Sequence, residues 1–262
     1  MIRALRTASS GMAAQQMSVD NIANNLANVN TTGFKRAKIE FQDIMYESLR
    51  RPGVSTATGS VAPTSLDVGY GTRPVSSTRQ FKVGELQQTG NPLDMAIDGD
   101  GFFQVQMPDG TVAYTRDGSL KLTAEGRIAT SDGFYLDPDI TIPEEAISVS
   151  VDAEGRVSVI EVGSNDPVEL GQIELARFVN PGGLSAMGHN LFQETPASGT
   201  PLVSAAGSEG VGRIQQGYLE MSNVDVVSEM VNMIVAQRSY EINSKVIQTA
   251  DDMSSLVNNL KR

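Results

Sequence analysis

Cysteine is absent from this chain and histidine occurs once, at His189. Without thiols there is no disulfide framework and no thiolate nucleophile or metal ligand, and a single imidazole leaves the usual general base and zinc ligand almost unrepresented. Most familiar hydrolytic and metal chemistries are therefore not expected. Long apolar runs are also missing. The weakly charged stretch from Thr7 to Val19 is broken by Ser, Gly and Gln, well short of the ~20 apolar residues that a membrane-spanning helix requires. The opening MIRALRTASSGMAA has two arginines but no continuous apolar core, so neither a cleaved signal peptide nor membrane insertion is expected, and an exported chain would need another route. Positive charge is scarce in the middle: residues 81–215 hold 20 acidic and 7 basic side chains, against 11 and 13 in the remainder. Nucleic acid is an unsuitable partner for such a chain, because phosphate binding needs a basic patch.

What is present suffices for one large or two ordinary domains, with 262 residues of which 40% are hydrophobic. Near the N-terminus Leu5, Ala8, Met12, Gln15, Val19, Ile22, Leu26 and Val29 follow alternating steps of three and four, a heptad seam with one polar interruption at Gln15. Thr31-Thr32-Gly33 then reads as the helix stop, with Gly33 as the left-handed residue past the end. The C-terminal segment repeats the pattern through Val224, Val227, Val231, Val235, then Ile242, Val246, Thr249, Met253, Leu256 and Leu260, slipping near Arg238 and Ser239. Ser222 or Asn223 is the candidate cap. Asn21, Asn24, Asn25 and Asn28 form a polar stripe beside the first seam, which reads as a polar key for packing against other copies. The adaptable side chains of Met221, Met230, Met233 and Met253 are expected to fill the second seam. Stripes this narrow are stable mainly when paired, so the two helices are expected to form a coiled coil and to offer their remaining surface to neighbours.

Between the helices the pattern changes to short alternating runs such as Phe103 to Met107 and Ile147 to Val151. Turns are marked by Asp109-Gly110, Asp117-Gly118, Glu125-Gly126, Asp132-Gly133 and Glu154-Gly155. The predicted fold class is α+β. Residues 1–45 are a helical region completed by 218–262, residues 46–80 a Pro/Gly/Ser/Thr-rich extended arm, and 81–217 an antiparallel β-rich domain.

Candidate chemistry is thin. Asp98-Gly99-Asp100-Gly101 begins like a calcium loop, but Phe102 and Phe103 stand where a ligand and a glycine are required, so it reads as a turn. Asp137, Asp139, Glu144 and Glu145 are paired acids without a pattern that would desolvate one and spare the other, so they read as solvated loop charges rather than a glycosidase pair. His189 lacks a ligand partner, and no nucleophile elbow occurs. Gly69-Tyr70-Gly71 lacks the Lys-Ser/Thr of a phosphate loop. No catalytic residue, cofactor or metal is assigned.

ANNLANVNTTGFK (residues 23–35), NPLDMAIDGDGFFQV (91–105), AYTRDGSLKLTAEGR (113–127) and SNVDVVSEMVNMIVAQRSYEINSKVIQTADDM (222–253) together resemble the signature blocks of bacterial flagellar rod and hook proteins. The length and the segment Tyr46 to Thr78 look most like the distal-rod members, ahead of proximal-rod and hook-type relatives. The resemblance implies a structural role without catalysis: copies stacked helically into a rigid, hollow shaft that crosses the periplasm and carries torque from motor to hook. The implied partners are further copies, the proximal rod, the hook-side axial proteins and the surrounding peptidoglycan and outer-membrane rings, after export through the flagellar type III apparatus. The expected assembly contacts are Leu5, Ala8, Met12, Val19, Ile22, Asn24, Asn25, Leu26, Asn28 and Val29 on the first helix. On the second they are Val227, Val231, Val235, Ile242, Val246, Met253, Leu256 and Leu260. Two other classes of function, a carbohydrate-active enzyme using the acidic loops and a monomeric binding module on a helical stalk, are the alternatives.

Overall fold

The computed structural model describes residues 2–52, 64–163, 166–208 and 210–260. The fold is α+β, with a helix at each end, Ile2–Ala27 (α1) and Val226–Leu260 (α2), and a strand-rich middle. The chain divides into two compact units. One gathers Met1–Leu26, Ala37–Thr78 and Val226–Arg262, and the other Ala27–Arg36 and Arg79–Asp225. Among the described residues no helix is long and apolar enough to cross a membrane.

In the helical unit the two helices run antiparallel. The Asn25 amide meets the Glu229 carboxylate, while Gly11 sits so close to Asn243 that a Cβ there would lie 2.9 Å from its side-chain nitrogen. Along α2 Glu229, Ala236 and Ala250 are buried, at multiples of one heptad, and Met233, Asn243 and Ile247 on the same side are half-buried. The predicted seam on α2 therefore does not face α1. Val227, Val231, Val235, Ile242, Val246, Met253 and Leu256 are all exposed, at 40–70% of their accessible surface. The Leu260 side chain lies outside the described residues. The close approach is local: at Gly11 the facing residue is Asn243. On α1 the seam is partly inward, with Ala8 and Ile22 buried and Leu5, Met12, Val19 and Leu26 half-buried.

Two helix ends also differ from the sequence reading. α1 stops at Ala27, so Asn28 and Val29 lie beyond it and Gly33 is not its stop. The break comes at Asn28, whose carbonyl accepts from Thr31 N at 3.2 Å and whose side-chain oxygen accepts from Thr31 Oγ1 at 3.2 Å. Such local bonding offers the backbone an alternative to the helix. α2 begins at Val226 and continues without interruption through Arg238 and Ser239.

The predicted arm contains ordered pieces. Ala37–Asp43 (β1) pairs with Thr72–Arg79 (β4), and Tyr46–Arg50 (β2) with Leu66–Gly69 (β3). The β2–β3 pairing is antiparallel, with Tyr46 opposite Gly69. Two-stranded ribbons that bury neither face carry no alternation, so the sequence gives no signal for them. Residues 53–63 of the arm lie outside the described residues.

The second unit is built on a nine-stranded antiparallel sheet. Its central strand, Phe102–Gln106, pairs with Val112–Thr115, with Tyr135–Asp137 and, at Phe102 and Phe103, with Glu174–Arg177. This strand looks half-polar in sequence, yet Phe102 to Val105 are all buried, including Gln104 at 7% exposure. Phe103 joins a core of Met95, Ile97, Leu120, Ile128, Leu136, Ile173 and Leu175. Phe102 turns to a second cluster of Tyr114, Phe178 and Phe192, in which rings meet edge-on, as Tyr114 and Phe178 do at 4.8 Å. Of the five predicted turn glycines, Gly110, Gly126, Gly133 and Gly155 have positive φ, whereas Gly118 does not.

Candidate assembly face and the polar nodes behind it

The helical unit exposes apolar side chains along α2. Val227, Met230, Val231, Ile234, Val235, Ile242, Met253 and Leu256 are all exposed along one chain's helix. Exposed apolar side chains along one helix make this face the candidate interaction surface of the unit. It lies on the side of the helix opposite the row of Glu229, Ala236, Asn243 and Ala250.

Behind this face the asparagines have an internal task. Asn21 Nδ2 and Asn25 Nδ2 donate to the Ala37 carbonyl at 2.8 and 2.9 Å, and Asn25 Oδ1 accepts from Ala37 N at 3.0 Å. Asn25 Nδ2 also reaches Glu229 Oε2 at 3.2 Å. Asn25 and Glu229 are each only 1% exposed. The Asn25 amide thus joins the last turn of α1, the first residue of β1 and the first turn of α2, where a carboxylate is favoured by the helix dipole. Asn25 is thus buried within the single chain, while Asn24 is exposed. Asn25→Ala strands Ala37 N and takes one donor from the buried Glu229 carboxylate, and should lower the stability of the helical unit by about 2 kcal/mol. Asn24→Ala should change it by less than about 0.5 kcal/mol. Chemical denaturation followed by helical circular dichroism distinguishes the two.

In the β unit, residues 31–35 form a plug. Gly33 adopts φ +67° and donates its N–H to the Glu220 carbonyl at 2.8 Å. A Cβ there would sit 2.6 Å from Asp117 N, so the position admits only glycine. Phe34 is buried, and Lys35 is fully enclosed. Lys35 Nζ forms an ion pair with Glu220 Oε1 and donates to the Lys82 carbonyl at 3.0 Å. The other Glu220 oxygen meets Arg116 Nη1 at 3.3 Å, and Oε1 also accepts from Gly84 N at 2.9 Å. Arg116 donates further to the Gly99 carbonyl at 2.7 Å and lies 5.4 Å from the centre of the Phe102 ring. Burial pushes the pKa values of Lys35 and Arg116 below their ordinary values, and the Glu220 charge opposes the shift in both. Asn223 does not cap α2. Its amide accepts from Arg36 N at 2.8 Å and donates to the Gln80 and Lys82 carbonyls. Sequence reading missed Lys35, Arg116 and Glu220 because they are far apart in the chain. The only local signals were a lone lysine after Gly-Phe and a lone glutamate in the apolar run Tyr218–Met221.

The acidic strings have structural positions. Asp98–Gly101 is the turn before the central strand, with Asp98 Oδ2 accepting from Gln215 Nε2 at 3.1 Å and the Asp100 carbonyl from Gly212 N at 2.7 Å. Asp139 pairs with Arg127 at 2.7 Å on the surface. Among the described residues no group of three or more His, Asp or Glu is placed to hold a metal.

An exposed apolar helix face in one unit and buried polar nodes inside each unit are the features of a structural building block. The comparisons agree. Three family models match in chain order: "Flagella basal body rod protein" over residues 5–35, "Flagellar hook protein FlgE/F/G D1 domain" over 96–159 and "Flagellar basal body rod FlgEFG protein C-terminal" over 215–260. The chain is 53% identical to the flagellar basal-body rod protein FlgG of Borreliella burgdorferi over 264 residues, covering both proteins completely. It is 47% identical to FlgG of Caulobacter vibrioides, covering 99% of this chain and 100% of that one, and 40% identical to FlgG of Bacillus subtilis over the whole of both. The chain belongs to the FlgG family of flagellar basal-body rod proteins, which are structural proteins and not enzymes.

Proposed function

We propose that this protein is a structural subunit of the distal rod, whose copies stack helically through α1 and α2 into a rigid, hollow shaft that transmits torque from motor to hook. The observation that carries this reading is the exposed apolar row on α2, from Val227 to Leu256. In the proposed shaft the helix pairs act as coiled-coil elements. The α2 residues Val227, Val231, Val235, Ile242, Val246, Met253 and Leu256, the helix end at Leu260, and the half-buried Leu5, Met12, Val19 and Leu26 of α1 meet neighbouring copies, with Asn24 at the rim. A heterologous contact that repeats without closing into a ring generates a filament or tube. The shaft spans the periplasm after export without a cleaved signal. Its ends join the proximal rod and the hook-side axial proteins, and its flank runs through the peptidoglycan and outer-membrane rings. The arm, residues 46–78, lies across adjacent subunits and stiffens the shaft.

Electron microscopy and sedimentation of the purified full-length chain at rising concentration test this reading. Tubes are expected above a threshold concentration, and removal of residues 1–26 should abolish them while leaving soluble protein. A chain that stays monomeric at every concentration would overturn the proposal.

A further inference from the structure

Gly69-Tyr70-Gly71, which lacks the features of a phosphate loop, occupies a definite place in the helical unit. Tyr70 and Gly71 are the whole connection between β3 and β4. Gly71 has φ +106°, and a Cβ there would lie 2.1 Å from Ser10 Oγ and 3.4 Å from Thr7 Cα. The turn therefore presses its backbone directly onto α1, and no side chain fits between them. Ser10 Oγ accepts from Thr72 N at 3.3 Å while donating to the Thr7 carbonyl at 2.8 Å. The Gly71 carbonyl accepts from Ile44 N at 2.9 Å, which ties the start of the ribbon to the same turn. One residue away, the Tyr70 hydroxyl donates to Glu47 Oε2 at 2.6 Å, and Glu47 receives Arg3 Nη2 at 2.8 Å. The bond to Glu47 raises the Tyr70 pKa above its usual 10.0.

Neither partner in this contact is well supported alone. The first turn of α1 carries no acidic residue, and Arg3 lies in it, the wrong sign for a helix N-terminus. Glu47 provides the missing negative charge from β2. A two-stranded ribbon is in turn marginal by itself, and Tyr46, Leu49 and Leu66 of β2–β3 are all more than half exposed. We propose that the Tyr70–Gly71 turn is a clamp that makes the first three turns of α1 and the β2–β3 ribbon one cooperative unit, in which each orders the other. The inference concerns the single chain and does not depend on the assembly reading.

Hydrogen exchange of the full-length monomer tests it. Gly71→Val, which imposes a Cβ and a strained φ, should accelerate exchange in residues 3–12 and in residues 66–72 together by roughly tenfold. The central strand Phe102–Gln106 should be unchanged. Tyr70→Phe removes only the bond to Glu47 and should accelerate the same two segments together by roughly threefold; it decides the matter if Gly71→Val unfolds the helical unit. Acceleration confined to residues 66–72, or a wild-type chain whose first three helical turns exchange at the unfolded rate while the ribbon is protected, would overturn the clamp. Neither result bears on whether the chain forms tubes.

Discussion

Glu220→Gln is expected to destabilise the β unit by about 3–5 kcal/mol, the usual penalty for removing one partner from a buried ion pair. The reason is the count of charges. Lys35 and Arg116 converge on a single carboxylate in a site where all three side chains are essentially inaccessible, so neutralising Glu220 leaves two buried cations facing one another. Glutamine keeps the shape and can still accept from Gly84 N, which isolates the electrostatic part of the loss. Exchange protection of Phe102–Gln106 reads the stability of this unit separately from the helices. Replacing all three together, as Lys35→Met, Arg116→Met and Glu220→Leu, should return the unit to within about 1–2 kcal/mol of the original. A loss below about 1 kcal/mol in the single variant would mean that the carboxylate is not the counterion of the node. The pH dependence has a definite sign. Burial lowers the folded pKa of Lys35 below 10.5, so between that lower value and 10.5 the unfolded chain binds a proton that the native chain has released. Stability from this group therefore rises with pH across that window. Glu220→Gln removes the charge that opposes the shift, so it should extend the window downward.

Charging the outer face of α2 should have the second large effect, and on assembly rather than folding. Val231→Asp with Val235→Asp places two carboxylates one helical turn apart on the exposed row. Burying a valine contributes about 1.5–3 kcal/mol, so losing two from a repeated contact should raise the concentration needed for tubes by at least about a hundredfold. The monomer should unfold within about 1 kcal/mol of the wild type, since both side chains are already more than half exposed in one chain. Ala236→Leu is the opposite case. Ala236 is 4% exposed on the inward row, and a larger side chain there should destabilise the monomer's helix pair by about 1–3 kcal/mol. Sedimentation and thermal unfolding of the two variants separate the faces. Equal loss of folding in both would refute the division of α2 into an inner face that packs within the chain and an outer apolar row.

The contrast between these faces explains what was legible in the chain. Steps of three and four through Val227, Val231 and Val235 announce a helix with an apolar stripe, and that much is local. Which stripe meets α1 is not local. It depends on how the helices pack, with Gly11 against Asn243 and with Ala236 and Ala250 buried. The asparagines behave similarly: their poor helix propensity is visible in the sequence, but the reason to keep Asn25 is a carbonyl twelve residues away and a carboxylate on α2.

By itself the sequence determined the two terminal helices, the β-rich middle with its glycine turns, the absence of cysteine chemistry and, through its signature blocks, the family. All of these rest on periodicity, composition or contiguous motifs. Only the tertiary structure decided that Gly33 serves the β unit rather than ending α1, that Asn25 works inside the chain, and that Lys35, Arg116 and Glu220 meet. Buried polar partners are selected by geometry between distant segments, and no short window of sequence contains both halves of such a contact.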